Sequence, residues 1–296
     1  MTAPAAVVPY HALHDNGFAF MAGNEFIRSG YRVHYSSKDC VRSLFQWHNE
    51  TWNVWIHIVG SVVFLALFVT SVGGDPGTTT PHLNATSAAN LVGVVDVPQW
   101  PMILFLSSIV SCFALSTTYY LLYVQNDSVA SVYLQMDFAG IIAFIVGCYV
   151  PSIYYAFYCD PTCQAAYLGV VGVLAVGLFV ALGVPSIGRN KVMRVKAFLG
   201  LIFFAVVPIG HAIFAFGFWD DHVQLMIKPA VTCSVFSFLG LFLYVTRLPE
   251  RWYPGKFDVV GSSHQWWHLC VVLAALAYYT SLLDHYTWRS KVGCRT

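Results

Sequence analysis

Seven apolar runs of about twenty residues, at 54–73, 101–124, 138–158, 165–187, 197–219, 225–246 and 264–283, dominate this chain. Hydrocarbon offers no partner for backbone polar groups, so a chain crosses it as helices whose hydrogen bonds close within the segment. About 20 residues suffice for one crossing. The runs therefore predict an all-α membrane protein, a bundle of seven transmembrane helices. Pro151, Pro185, Pro208 and Pro229 fall inside the runs, and membrane helices tolerate such kinks. Composition agrees. Of 296 residues 57% are hydrophobic and 10% charged, where soluble domains carry about 25% charged residues. With a formal charge of +1 and no basic tract, nothing marks a nucleic-acid binder. Residues 1–24 contain no Lys or Arg and no long apolar core, so the first run is expected to act as signal anchor.

Direction follows from the cations. Basic residues collect on cytoplasmic loops. Arg28, Arg32, Lys38 and Arg42 precede the first run. Arg189, Lys191, Arg194 and Lys196 follow the fourth, and Arg247, Arg251 and Lys256 lie between the sixth and seventh. The loops 74–100, 159–164 and 220–224 hold no Lys or Arg. Only Arg289, Lys291 and Arg295 dissent. The amino terminus is therefore expected in the cytoplasm and the carboxy terminus outside. Residues 1–45 read as a polar cytoplasmic lead-in with a surface helix near 40–52, residues 46–285 as the seven-helix domain and 286–296 as a short outer tail. A glycosylation sequon, Asn84-Ala-Thr86, falls in the first outer loop. Cys159 and Cys163 share another outer loop and could close a small disulfide there. The membrane is either the plasma membrane or an internal one.

Ionisable groups inside a bilayer are costly and therefore functional suspects. With this direction, Ser116 and Tyr120 of the second run, Asp137 of the third, and His264 and His268 of the seventh fall in one layer near the cytoplasm. His264 and His268 stand four apart, so both imidazoles project from one helix face. Such a pair can present two nitrogens to one zinc ion, with Asp137 on the metal, on its water or on a ligand histidine. The alternative is a pair of interfacial histidines bonded to headgroups. Elsewhere plainer roles are expected. His57 is read as packing or hydrogen-bonding, His211 as a partner for backbone freed by Pro208, Lys228 as snorkelling, and Asp220, Asp221 and His222 as a solvated loop.

The run Ser43-Leu-Phe-Gln-Trp-His-Asn-Glu-Thr-Trp-Asn-Val-Trp-Ile-His57, preceded by Asn24-Glu-Phe-Ile27 and Gly30-Tyr31-Arg32, resembles the progestin and adipoQ receptor family. It is most similar to the adiponectin-receptor branch, with haemolysin III relatives further off. Met136-Asp137-Phe138-Ala139-Gly140-Ile141, Val150-Pro151, Tyr154-Tyr155, Phe157-Tyr158-Cys159, Pro208 with His211, and Ser263-His264-Gln265 with His268 extend the likeness over roughly 24–285. The resemblance implies a seven-helix receptor with its amino terminus inside. It also implies a zinc ion near the cytoplasmic face held by three histidines, one on the second helix and two on the seventh, here His264 and His268. By the same likeness Asp137 and Ser116 hold zinc-bound water and act catalytically, and a membrane lipid such as ceramide is the substrate of a hydrolase-like site. An extracellular ligand is a further implied partner. The second-helix histidine should stand seventeen residues before Asp137 and four after Ser116, where this chain has Tyr120. A phenol, with a pKa near 10, is a poorer zinc ligand than imidazole. Three outcomes are open: Asp137 as a direct ligand, Tyr120 as phenolate, or loss of the metal site. The competing functions are thus a zinc amidohydrolase and a receptor without catalysis.

Overall fold

The computed structural model describes residues 5–73 and 96–294. The Asn84 sequon and Arg295 lie outside the described residues. After a short strand β1 (Ala6–Val8) come β2 (Tyr31–Val33) and α1 (Ser37–Arg42). The long helices then follow: α2 (Thr51–Gly73), α3 (Trp100–Leu122) and α4 (Asp127–Ala156). The rest are α5 (Pro161–Gly183), the one-turn α6 (Pro185–Gly188), α7 (Lys191–Phe203), α8 (Val206–Phe216), α9 (Asp221–Thr246) and α10 (Ser263–Val292). Among the described residues, seven helical segments are long and apolar enough to span a membrane, with α7 and α8 together forming the fifth. Their exposed surface is hydrocarbon. Val62, Val69, Val173, Val176, Phe214 and Val235 are all open to the surroundings, the inverse of a soluble protein and the surface that lipid covers. The chain is a multi-pass integral membrane protein.

Helix ends follow local chemistry more closely than hydropathy. The fourth span begins at Pro161 because Asp160 accepts the amides of Thr162 and Cys163 at 3.1 and 3.0 Å, with proline favoured at the first helical position. It ends at Gly183 rather than 187. The fifth span breaks between Phe203 and Val206. Pro208 has no N–H for the Phe204 carbonyl, which accepts from Val207 at 3.0 Å instead. The seventh continues nine residues past 283.

Two compact units divide the chain, and their boundaries cut across the long helices. The first comprises residues up to Ser61, Ser111–Gly140 and Ser234–Ala275. In it the amino-terminal segment is a folded element, not a polar lead-in. Leu13, Phe18, Met21, Ile27, Tyr31 and Val33 form one apolar cluster with Tyr123, Val124 and Ala130. β1 and β2 pair antiparallel, Val7 opposite Arg32. The expected surface helix is α1, capped by Ser36 and Asp39 in a reciprocal capping box, followed by a 3-10 turn, Ser43–Phe45.

The second unit comprises Val62–Val110, Ile141–Cys233 and the chain from Leu276. Here the cysteine expectation is corrected: Cys159 is bonded to Cys294, and Cys163 is free. The extended α10 brings its carboxy-terminal end back to the end of α4, which puts Cys294 within reach. Arg289 is buried there rather than lying in a tail. Its Nε donates to the Tyr155 carbonyl at 2.9 Å, and its Nη groups to the Ala156 and Gly293 carbonyls at 3.3 and 3.1 Å. A guanidinium at the carboxy-terminal ends of two helices satisfies orphan carbonyls and meets the negative ends of both dipoles. His222, expected in a solvated loop, is buried and accepts from Arg289 at 3.1 Å. Lys228 pairs with Asp284 at 2.8 Å. His211 bonds the Tyr167 hydroxyl at 3.0 Å, a side-chain partner rather than freed backbone.

Candidate functional site

Four helices of the first unit bring the polar layer together. Ser116 and Tyr120 stand four apart on α3 and so share a face. Ser116 Oγ donates to Asp137 Oδ1 of α4 at 2.5 Å. Gly140, one turn beyond Asp137, makes that distance possible: a Cβ there would lie 3.0 Å from Cys112 Cα. Tyr120 and His264 of α10 share a hydrogen bond, Oη to Nε2, at 3.1 Å. His268, one turn on, bonds through Nδ1 to Nε2 of His57 at 3.1 Å, and the His264 and His268 rings lie 4.5 Å apart. His57 also stacks on Tyr120, 5.6 Å between centroids and 7° from parallel. Gly60, three residues on, leaves room for the Phe113 ring, which would touch a Cβ there at 2.8 Å. His57, Ser116, Tyr120, Asp137 and His268 are all buried. The structure thus places every residue expected in the layer. His57 is the one that the sequence left in a supporting role. Its sequence signal was the i, i+4 spacing of the polar residues Asn53 and His57 at the start of an apolar run, and both are buried in the fold.

A surround of buried charges holds the layer in place. Arg32, fully buried in β2, donates to the Tyr120 and Leu121 carbonyls at 2.8 and 3.4 Å and to Ser43 Oγ at 2.6 Å. It therefore caps the end of α3 at the backbone of Tyr120 itself. Glu50, just before α2, accepts from Asn53 at 2.6 Å and from Tyr123 at 2.9 Å. Burial raises its pKa, opposed by those two hydrogen bonds. Glu250 is buried at the start of α10, where it accepts the Ser263 amide at 2.7 Å, the Ser263 hydroxyl, and Asn24 Nδ2 at 3.1 Å. A carboxylate at a helix amino terminus is favourable, and this one fixes the helix that carries His264 and His268.

The donor set decides what the layer can hold. A zinc centre wants three protein nitrogens, oxygens or sulfurs converging on one point. Among the described residues no group of three or more His, Cys, Asp and Glu is so arranged. His57 meets His268 nitrogen to nitrogen, and the third position is filled by the Tyr120 hydroxyl, already bonded to His264. The residues do not fit a zinc centre with three protein ligands. Two ring nitrogens of the layer, His57 Nδ1 and His268 Nε2, are buried without a hydrogen-bond partner.

A family model described as haemolysin-III related matches residues 45–279. The chain belongs to the haemolysin-III related family. The match takes in α2 to α9, α10 as far as Tyr279, and every residue of the polar layer. Among relatives, heptahelical transmembrane protein 1 of Arabidopsis thaliana is 34% identical over 93% of this chain and 81% of its own length. Heptahelical transmembrane protein ADIPOR1 of Oryza sativa subsp. japonica is 30% identical over 97% and 86%. Progestin and adipoQ receptor-like protein 1 of Caenorhabditis elegans is 30% identical over 90% of this chain and 58% of its own. Family membership and the seven helices agree with the resemblance drawn from the sequence.

Proposed function

We propose that this haemolysin-III related protein is a receptor-like heptahelical membrane protein whose polar layer, near the cytoplasmic face, is a hydrogen-bonded helix junction. The carrying observation is the Tyr120–His264 bond at 3.1 Å, which occupies the place where the resemblance implies a histidine on zinc. In this reading Tyr120 ties α3 to α10, His57 ties α2 to α10 through His268, and Ser116 ties α3 to α4 through Asp137. Each bond inside a membrane contributes about 0.6 kcal/mol, up to about 1.7. Together they hold four helix ends in one arrangement.

A second reading has one observation in its favour, the unpartnered buried Nε2 of His268. In it His264 and His268 hold zinc, with Asp137 and Ser116 beside it, and the protein hydrolyses a lipid amide such as ceramide. Purified protein incubated with ceramide separates the two. The junction reading predicts no fatty acid released above a His264→Ala/His268→Ala control. Release that Asp137→Ala abolishes would overturn it in favour of the hydrolase.

A further inference from the structure

On the outer flank of α9 and α10, in the first unit, runs an apolar groove of about 580 Å³. Phe242 and Leu243 of α9 and Leu269 and Leu273 of α10 form its walls, and Trp252 and Trp266 line it as well. Leu239, Phe242, Trp252, Trp266 and Leu273 are exposed, so the groove opens to the surroundings of a membrane-spanning pair. Its shape and chemistry suit an acyl chain, and tryptophans favour the depth of lipid headgroups.

The loop that joins the two helices supplies the second half of a site. It carries two carboxylates and three cations, and the fold sorts them by sign. Glu250 is buried against Ser263 and Asn24. Asp258 is buried and accepts the Arg28 amide at 2.9 Å and the Ser29 hydroxyl at 2.6 Å. Arg247 pairs with Glu25 of the amino-terminal segment. Arg251 and Lys256 stay exposed, as does Arg28, whose side chain passes the Gly255 position at 3.5 Å. None of these three forms an ion pair among the described residues. Both acids of the loop are buried, and its exposed cations Arg251 and Lys256 stand on either side of Trp252, which lines the groove; the Arg251 charge also reaches Glu25.

We infer that this groove and loop form a binding site for one anionic phospholipid, its acyl chain between α9 and α10 and its headgroup against Arg28, Arg251 and Lys256. Basic pockets beside membrane helices take anionic headgroups, and each cation near such a surface favours binding by about fivefold. Three exposed cations, screened by solvent, predict roughly tenfold enrichment over a zwitterionic lipid.

The test uses the full chain in nanodiscs of phosphatidylcholine and phosphatidylserine at a stated 4:1 ratio, followed by native mass spectrometry of the lipid that stays bound. Wild type should retain phosphatidylserine about tenfold above its share of the bilayer. The variant Arg28→Gln/Arg251→Gln/Lys256→Gln, changed only at exposed side chains, should return to the bulk ratio. Leu273→Trp, which fills the groove, should lose the retained lipid while the loop stays cationic. Thermal unfolding in pure phosphatidylcholine serves as the folding control for both. Retention at the bulk ratio by wild type overturns the site. So does enrichment unchanged by the triple variant, enrichment that survives a folded Leu273→Trp, or a lipid-free dimer, which would put a second copy in the groove.

Discussion

At the scale of single residues, Tyr120 decides the character of the polar layer. A histidine there would add an imidazole facing those of His264 and His268; a phenol gives one hydrogen bond to His264 and a ring for His57 to stack on. That hydrogen bond is a structural tie between α3 and α10 in the junction reading. A double-mutant cycle of Tyr120→Phe and His264→Ala, read from unfolding in mixed micelles, should show a coupling of about 1 kcal/mol. Additive single effects would leave the bond without weight. Depth along each run already placed Ser116, Tyr120, Asp137, His264 and His268 together, because helix direction converts position into height. His57 opens the first run near the same end, and its partner lies 211 residues away on another helix. Which faces of two helices meet is a packing property that hydropathy does not carry.

At the scale of elements, hydropathy located the helices and missed where they stop. Boundaries obey caps and hydrogen bonds: Asp160 and Pro161 start one helix early, Pro208 breaks another, and Arg289 lets a third run on. Read along the sequence, Arg289 is a cation in a tail. In the fold its Nε and both Nη groups have backbone or histidine partners, a geometry that the single ammonium of lysine cannot reproduce. Arg289→Ala leaves the final carbonyls of α4 without donors and should cost roughly 2–3 kcal/mol, seen as a lower unfolding midpoint. Arg289→Lys should recover little of it. Full recovery by lysine would mean that charge alone matters there. The Cys159–Cys294 link was equally invisible, since it depends on α10 reaching the end of α4.

At the scale of the whole molecule, seven spans and family membership were legible early, because a bilayer sets helix length and the motifs are long. The amino-terminal segment was not. Its apolar residues, Leu13, Phe18, Met21 and Ile27, are scattered without helical or strand period and become a core only against Tyr123 and Val124. The cation distribution predicts an inside amino terminus, which puts Asn84 outside. In microsomes the chain should gain one glycan that Asn84→Gln removes. Glycan addition instead at Asn49-Glu-Thr51 or Asn126-Asp-Ser128, sequons on the side expected inside, would invert the topology.

Whether this molecule is a hydrogen-bonded receptor or a zinc protein rests on its metal content. Elemental analysis of purified wild type, Tyr120→His and His264→Ala/His268→Ala addresses that directly. A hydrogen-bonded junction predicts zinc well below one ion per chain in wild type, a rise towards one in Tyr120→His, and none in the double variant. One zinc per wild-type chain, lost with the two histidines, would contradict it.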